Sequence, residues 1–145
     1  MEYEPIPIIS KDFPKVVIPL IDSALYNIDI IVFDWRFYKN DPASPVSLFN
    51  HAIARAVKRG VFVRCLVQNK GIVDILGGLG CDARQLASKR ILHTKLLIVD
   101  GKRIVLGSHN YTQNAFTSNH EASIFFTLAQ EKNAFTEYFT NLFGL

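Results

Sequence analysis

Apolar and polar positions switch between two periods along this chain, and each switch marks a predicted element. Residues 1–9 are expected to be extended, because Pro5 and Pro7 bar a helix. In the next segment Val16, Val17, Leu20, Ile21, Ala24 and Leu25 fall on one helical face, with Ser10 or Asp12 as cap and a kink expected at Pro19. Residues 28–34 form an unbroken apolar run rich in β-branched residues and read as a buried strand. "KNDPASP" reads as a loop, and Ser44 or Ser47 caps a helix that closes on basic residues and Gly60. "VFVRCLV" predicts a strand, "GIVDILGGLG" a short helix and "CDARQL" a short strand. Two more strands follow, about 93–99 and 103–107, then a loop or helical turn at 111–119. "EASIFFTL" predicts a last strand, and residues 129–143 a helix with Phe135, Tyr138, Phe139 and Leu142 on one face.

Strands alternate with helices through the first half, which predicts an α/β fold: a mixed β-sheet flanked by helices on both faces. The 145 residues suggest a single domain spanning 1–145. Nearly half are hydrophobic and a fifth are charged, enough for a proper core and too apolar for disorder. The net charge of +3 permits an anionic partner without requiring one. Cys65 and Cys81 make no disulfide framework, and a reducing compartment fits them. The N-terminus is acidic where a secretory signal is basic, and no apolar run reaches membrane-spanning length, so a cytoplasmic location is expected.

The two strands around residue 100 carry groups that plain core strands do not need. Alternation puts His93 and Lys95 on one face, with Asp100 on the opposite parity at the strand end. Asp100-Gly101 is a turn signal, so the second strand folds back. That register places Ser108 and Asn110 opposite His93 and Lys95, to within about one residue. Histidine can attack phosphorus or transfer a proton, and ammonium, amide and hydroxyl groups can hold phosphate oxygens. Glu121 opens the next apolar strand and can accept a hydrogen bond from the far nitrogen of His93, fixing its tautomer.

The spacing His93-x-Lys95-x4-Asp100-x6-Gly107-Ser108-x-Asn110 resembles the HKD signature of the phospholipase D superfamily at every specified position. The resemblance implies a phosphodiesterase that passes through a covalent phosphohistidine, with a second histidine protonating the leaving oxygen and no metal or other cofactor. It implies that His93 is nucleophile or acid, that Lys95 and Asn110 hold phosphate oxygens, that Ser108 assists and that Glu121 orients His93. Asp100 is expected to support the site, since its parity points away from the pocket. A metal site built from Asp100, His109 and His120 lacks tight ligand spacing.

The chain has one such motif, whereas double displacement needs two histidines. A two-fold homodimer sharing one pocket is expected to supply the second, as the resemblance to the small, dimeric single-motif endonucleases of the superfamily implies. DNA is the expected substrate, single-stranded or read without sequence preference. Trp35 and Tyr38 are candidates to stack on bases, Arg36 to meet phosphates, and Lys89 and Arg90 to widen a basic funnel before His93. The alternatives are a cardiolipin-type phospholipid substrate, for which no amphipathic anchor is visible, and a nucleic-acid-binding dimer with latent activity. No stable membrane association is expected. His51 and His109 read as structural, and His120 as surface filler.

Overall fold

The computed structural model describes residues 4–145, so the first three positions of the predicted extended segment lie outside the described residues. The chain opens with β1 (Ile6–Ile9) and one 3-10 turn, then runs through α1 (Phe13–Asp22), β2 (Asn27–Ile31), α2 (Pro45–Lys58) and β3 (Phe62–Val67). It continues with α3 (Lys70–Gly78), β4 (Asp82–Gln85), β5 (Leu96–Val99), β6 (Arg103–Gly107), α4 (Gln113–Thr117), β7 (Ala122–Thr127) and α5 (Ala134–Phe143). The strands form one seven-stranded sheet in the order β1-β7-β6-β5-β2-β3-β4.

Helices return the chain between β2, β3 and β4, so these three strands run parallel. The other neighbours pair antiparallel. The result is the mixed α/β sheet expected from the alternation of periods. Ile28, Ile30 and Val32 enter a core under α1, α2, α3 and α4. Ile31, Leu96, Ile98 and Ile104 face the opposite way, against Phe139 and Phe143 of α5. On that thinner side Asp29 is buried and held by the Arg64 fork at 2.8 and 2.9 Å. The Arg64 guanidinium also lies 4.9 Å from the centre of the Phe139 ring. Cys65 and Cys81 are free and buried, and burial pushes the Cys65 thiol well up.

Local signals explain most element ends. Ser44 caps α2 by accepting from the Ser47 N–H, whereas the Ser47 hydroxyl donates to the Asp41 carbonyl. Asn69 and Asn133 cap α3 and α5. α1 runs through Pro19, which lies on its exposed side, and ends at Asp22. Leu25 therefore falls beyond the helix and is 71% exposed, not on the buried face that periodicity predicts. The last helix starts at Ala134 because Asn133 supplies a capping box there, five residues later than the expected start. β1 tolerates Pro7 because it is an edge strand, with only β7 beside it.

Asp100 and Gly101 both take positive φ, 53° and 75°, and the Lys102 N–H closes the turn on the Val99 carbonyl. The ladder runs from Val99↔Arg103 to Leu96↔Leu106. The expected strand over 93–99 is shorter, since pairing begins at Leu96 and residues 93–95 lead into it without regular secondary structure. At the far end of β6, Gly107 lets β7 approach closely. A Cβ there would stand 2.3 Å from the Ser123 Cα. Gly107→Ala is accordingly expected to lower stability by about 2 kcal/mol or more, read as a fall in the denaturation midpoint.

Candidate active site

The carboxyl ends of β2 and β3, the lead-in to β5, the end of β6 and the start of β7 all meet at one end of the sheet. This is the end where α/β sheets bind ligands. Leu92 is buried there, which forces its neighbour His93 outward into solvent. Gln68, just past β3, pins the same segment. Its Oε1 accepts from the Leu92 N–H at 2.9 Å and its Nε2 donates to the Arg90 carbonyl at 2.8 Å. A single amide at a strand end gives no pattern in sequence, and Gln68 is not among the predicted site residues.

Lys95 comes to the same side as His93, and its Nζ lies 3.2 Å from each imidazole nitrogen. Lys95 is only 8% exposed. Burial lowers its pKa, and the nearby Glu121 carboxylate opposes that shift. A partly desolvated ammonium beside an open histidine is suited to take a phosphate oxygen in place of lost water.

Ser108 and Asn110 do not stand directly opposite His93 and Lys95, since the ladder register, continued, pairs Lys95 with Gly107. β6 ends at Gly107 and the chain leaves the sheet. The Ser108 hydroxyl then donates to Glu121 Oε1 at 2.5 Å and accepts from the Ala122 N–H at 3.0 Å. Asn110 turns toward the segment that follows β2, where its Oδ1 accepts from the Asp34 N–H at 3.1 Å. Its Nδ2, the donating end, has no hydrogen-bond partner among the described residues, which leaves it available to an anion.

Glu121 accepts from Ser108 and, through Oε2, from Asn119 Nδ2 at 3.0 Å. The expected hydrogen bond from His93 to Glu121 is not formed; Lys95 is the group that meets both ring nitrogens. Ser10 supports Glu121 from behind: its N–H donates to the Glu121 carbonyl and its hydroxyl accepts from the Glu121 N–H. His109 is buried between the Ser123 hydroxyl, at 2.7 Å, and the Ser10 carbonyl, at 2.8 Å, as its structural reading implies.

Asp100 lies at the other end of β5, seven residues from His93, roughly 20 Å along an extended chain. Its carboxylate accepts from the N–H groups of Leu25, Tyr26 and Asn27 at 3.0, 2.7 and 3.0 Å, and from Arg103 at 2.9 Å. Burial pushes its pKa up, but those four donors outweigh burial and hold it below the usual carboxylate value. Asp100 thus ties the β5–β6 turn to the entry of β2 and cannot touch a substrate at His93.

The aromatic loop is corrected in part. Trp35 is 2% exposed, packed against Tyr111 and Phe49, and its Nε1 donates to Asn50. It cannot stack on a base. A bend at Phe33 shifts the chain by one position and turns Trp35 into the core. Tyr38 is half-buried and its hydroxyl accepts from the Gln113 N–H. Arg36 is exposed but forked onto Asp34 at 2.6 and 3.3 Å, which holds its pKa above the ordinary value. Lys89 and Arg90 are exposed just ahead of His93. The aromatic residue at the site is Phe33, 42% exposed, with its ring centre 5.6 Å from that of His93. Among the described residues, no three His, Cys, Asp or Glu side chains are grouped so as to hold a metal ion.

Residues 17–143 match the family described as "Cardiolipin synthase, PLD-like domain". The chain belongs to the phospholipase D superfamily. It is 32% identical over 105 residues to a mitochondrial cardiolipin hydrolase of Chlamydomonas reinhardtii, covering 68% of this chain and 43% of that one. The chain therefore spans less than half the length of that relative. Among solved structures it resembles the phospholipase D family member Nuc from Salmonella typhimurium, with a TM-score of 0.79 and 23% identity, covering 97% of this chain and 95% of Nuc. NucT from Helicobacter pylori superposes with a TM-score of 0.73 and 19% identity, over 97% and 96% of the two chains. Both structures share the fold of this chain, in which the His93-Lys95 pair stands at the end of the sheet where β2 and β3 finish. No helix among the described residues is long and apolar enough to cross a membrane.

Proposed function

We propose that this protein is a phosphodiesterase that cleaves DNA through a phosphohistidine, in a site shared by two copies of the chain. The observation that carries the reading is the open His93 ring against the buried Lys95 ammonium, flanked by the Ser108–Glu121 pair and Asn110. In the first step a His93 nitrogen attacks phosphorus. The N–P bond forms as the P–O bond to the leaving group breaks. The leaving oxygen takes its proton from the partner subunit's His93, so no free alkoxide forms. In the second step that neutral imidazole removes a proton from water, the water oxygen attacks phosphorus and the N–P bond breaks. Lys95 and Asn110 bind the non-bridging oxygens, where charge builds in the transition state. Each copy supplies one histidine, which accounts for a single motif in a reaction that needs two.

The exposed Lys89 and Arg90 beside His93 support the DNA reading, as contacts for flanking backbone phosphates. The sequence likeness to a cardiolipin hydrolase supports the second reading, a phospholipid phosphodiesterase. Pure protein in EDTA, given supercoiled plasmid, labelled single-stranded DNA or labelled cardiolipin vesicles, separates the two. Nicking that persists in chelator and weakens steeply with added salt is expected. Cardiolipin cleavage without nicking would move the assignment to lipid, and loss of all activity on chelation would contradict the mechanism.

A further inference from the structure

The groups assigned above all act on the phosphate, and none of them reads what the phosphate carries. Phe33 is placed to do that. One side of its ring faces the chemistry, 5.6 Å from the His93 ring and 5.9 Å from Lys95 Nζ. It also lines a cleft of about 500 Å³ whose walls include Val67, Ile72, Ile75, Asn69 and Arg36. Phe33 stays 42% exposed and belongs to neither buried core cluster, whereas its neighbours Val32 and Trp35 are buried in the core.

We propose that Phe33 and this cleft form the subsite for the nucleobase next to the scissile phosphate. The assignment rests on the nuclease reading and adds the group that holds the substrate's base. A nucleobase has a flat π-face, which an open phenyl ring stacks without regard to sequence. Its edge carries donors and acceptors, which the Asn69 amide and the Arg36–Asp34 pair at the cleft wall can meet. The cleft shares Phe33 with the phosphate site, so a phosphate on Lys95 puts its own nucleoside, one sugar away, at the cleft mouth.

The test uses a short single-stranded DNA with one cleavable phosphodiester and two copies of it that lack the base on one side or the other. Wild type is expected to prefer the intact strand over one of the abasic strands on the order of tenfold in kcat/KM, the scale of one base–aromatic stack. Phe33→Leu is expected to erase that preference and Phe33→Tyr to keep it, with melting curves confirming that both fold. A Phe33→Leu enzyme with the wild-type preference would overturn the assignment. So would a wild type that cleaves all three strands equally, which leaves the nuclease reading standing. A wild type that cleaves none of them, yet cleaves cardiolipin, would remove both.

Discussion

His93→Ala is expected to lower DNA cleavage on the order of 10⁴-fold or more, the scale seen when a covalent nucleophile is removed. The side chain is exposed and meets Lys95 and Phe33, so its loss should change stability by no more than about 0.5 kcal/mol. The effect is large because the substitution acts twice in a two-fold assembly, deleting nucleophile and acid together. A mixed dimer of wild-type and His93→Ala chains is expected to be inactive as well, since it keeps only one of the two. Stopped assays on single-turnover DNA, with melting curves alongside, measure both quantities. A homogeneous variant within tenfold of wild type would remove His93 from the chemistry.

Asp100→Ala should do the opposite, unsettling the fold and sparing the reaction. Four donors converge on a carboxylate whose side chain is 15% exposed, and three are backbone N–H groups at the entry to β2. Removing the acceptor leaves them short of partners and Arg103 without its counter-ion, at a cost of about 3 kcal/mol. Cleavage per folded chain is expected to stay close to wild type. The pH dependence follows from the sign of the shift. A carboxylate held below its unfolded pKa contributes stability that is fully present above that unfolded value. The contribution is lost as pH falls through the lower folded value, in the region below about pH 4. Wild type and Asp100→Ala stability curves should therefore converge on acidification. Parallel curves, or a variant of normal stability and no activity, would show that the third residue of the signature works in the pocket.

How far these groups could be read from sequence depends on how local their determinants are. The β5–β6 hairpin was legible because Asp100-Gly101 carries its own turn chemistry and the flanking residues are unbroken β-formers. The approach of Lys95 to His93 matches the alternation of side chains expected of a strand. The pattern gathers Ser108 and Asn110 to the right end of the sheet, but their partners are not legible, because Gly107 ends β6 and their hydrogen bonds are made to the start of β7 and to the segment after β2. The reversal of Phe33 and Trp35 has a similar cause. The apolar run 28–34 reads as continuous, and only the bend at Phe33, joined to the bridge between Trp35 and Tyr111, decides which ring is buried. Asp100 was placed on the correct parity, yet its three backbone partners lie more than seventy residues away and leave no trace in local pattern.

The most direct test of the shared site is light scattering on a sizing column with cleavage assayed across the eluted fractions. Activity is expected to elute with a mass twice the 16.4 kDa of one chain and to be absent at the single-chain mass. Full specific activity in fractions of one-chain mass would contradict a pocket built from two histidines on two subunits.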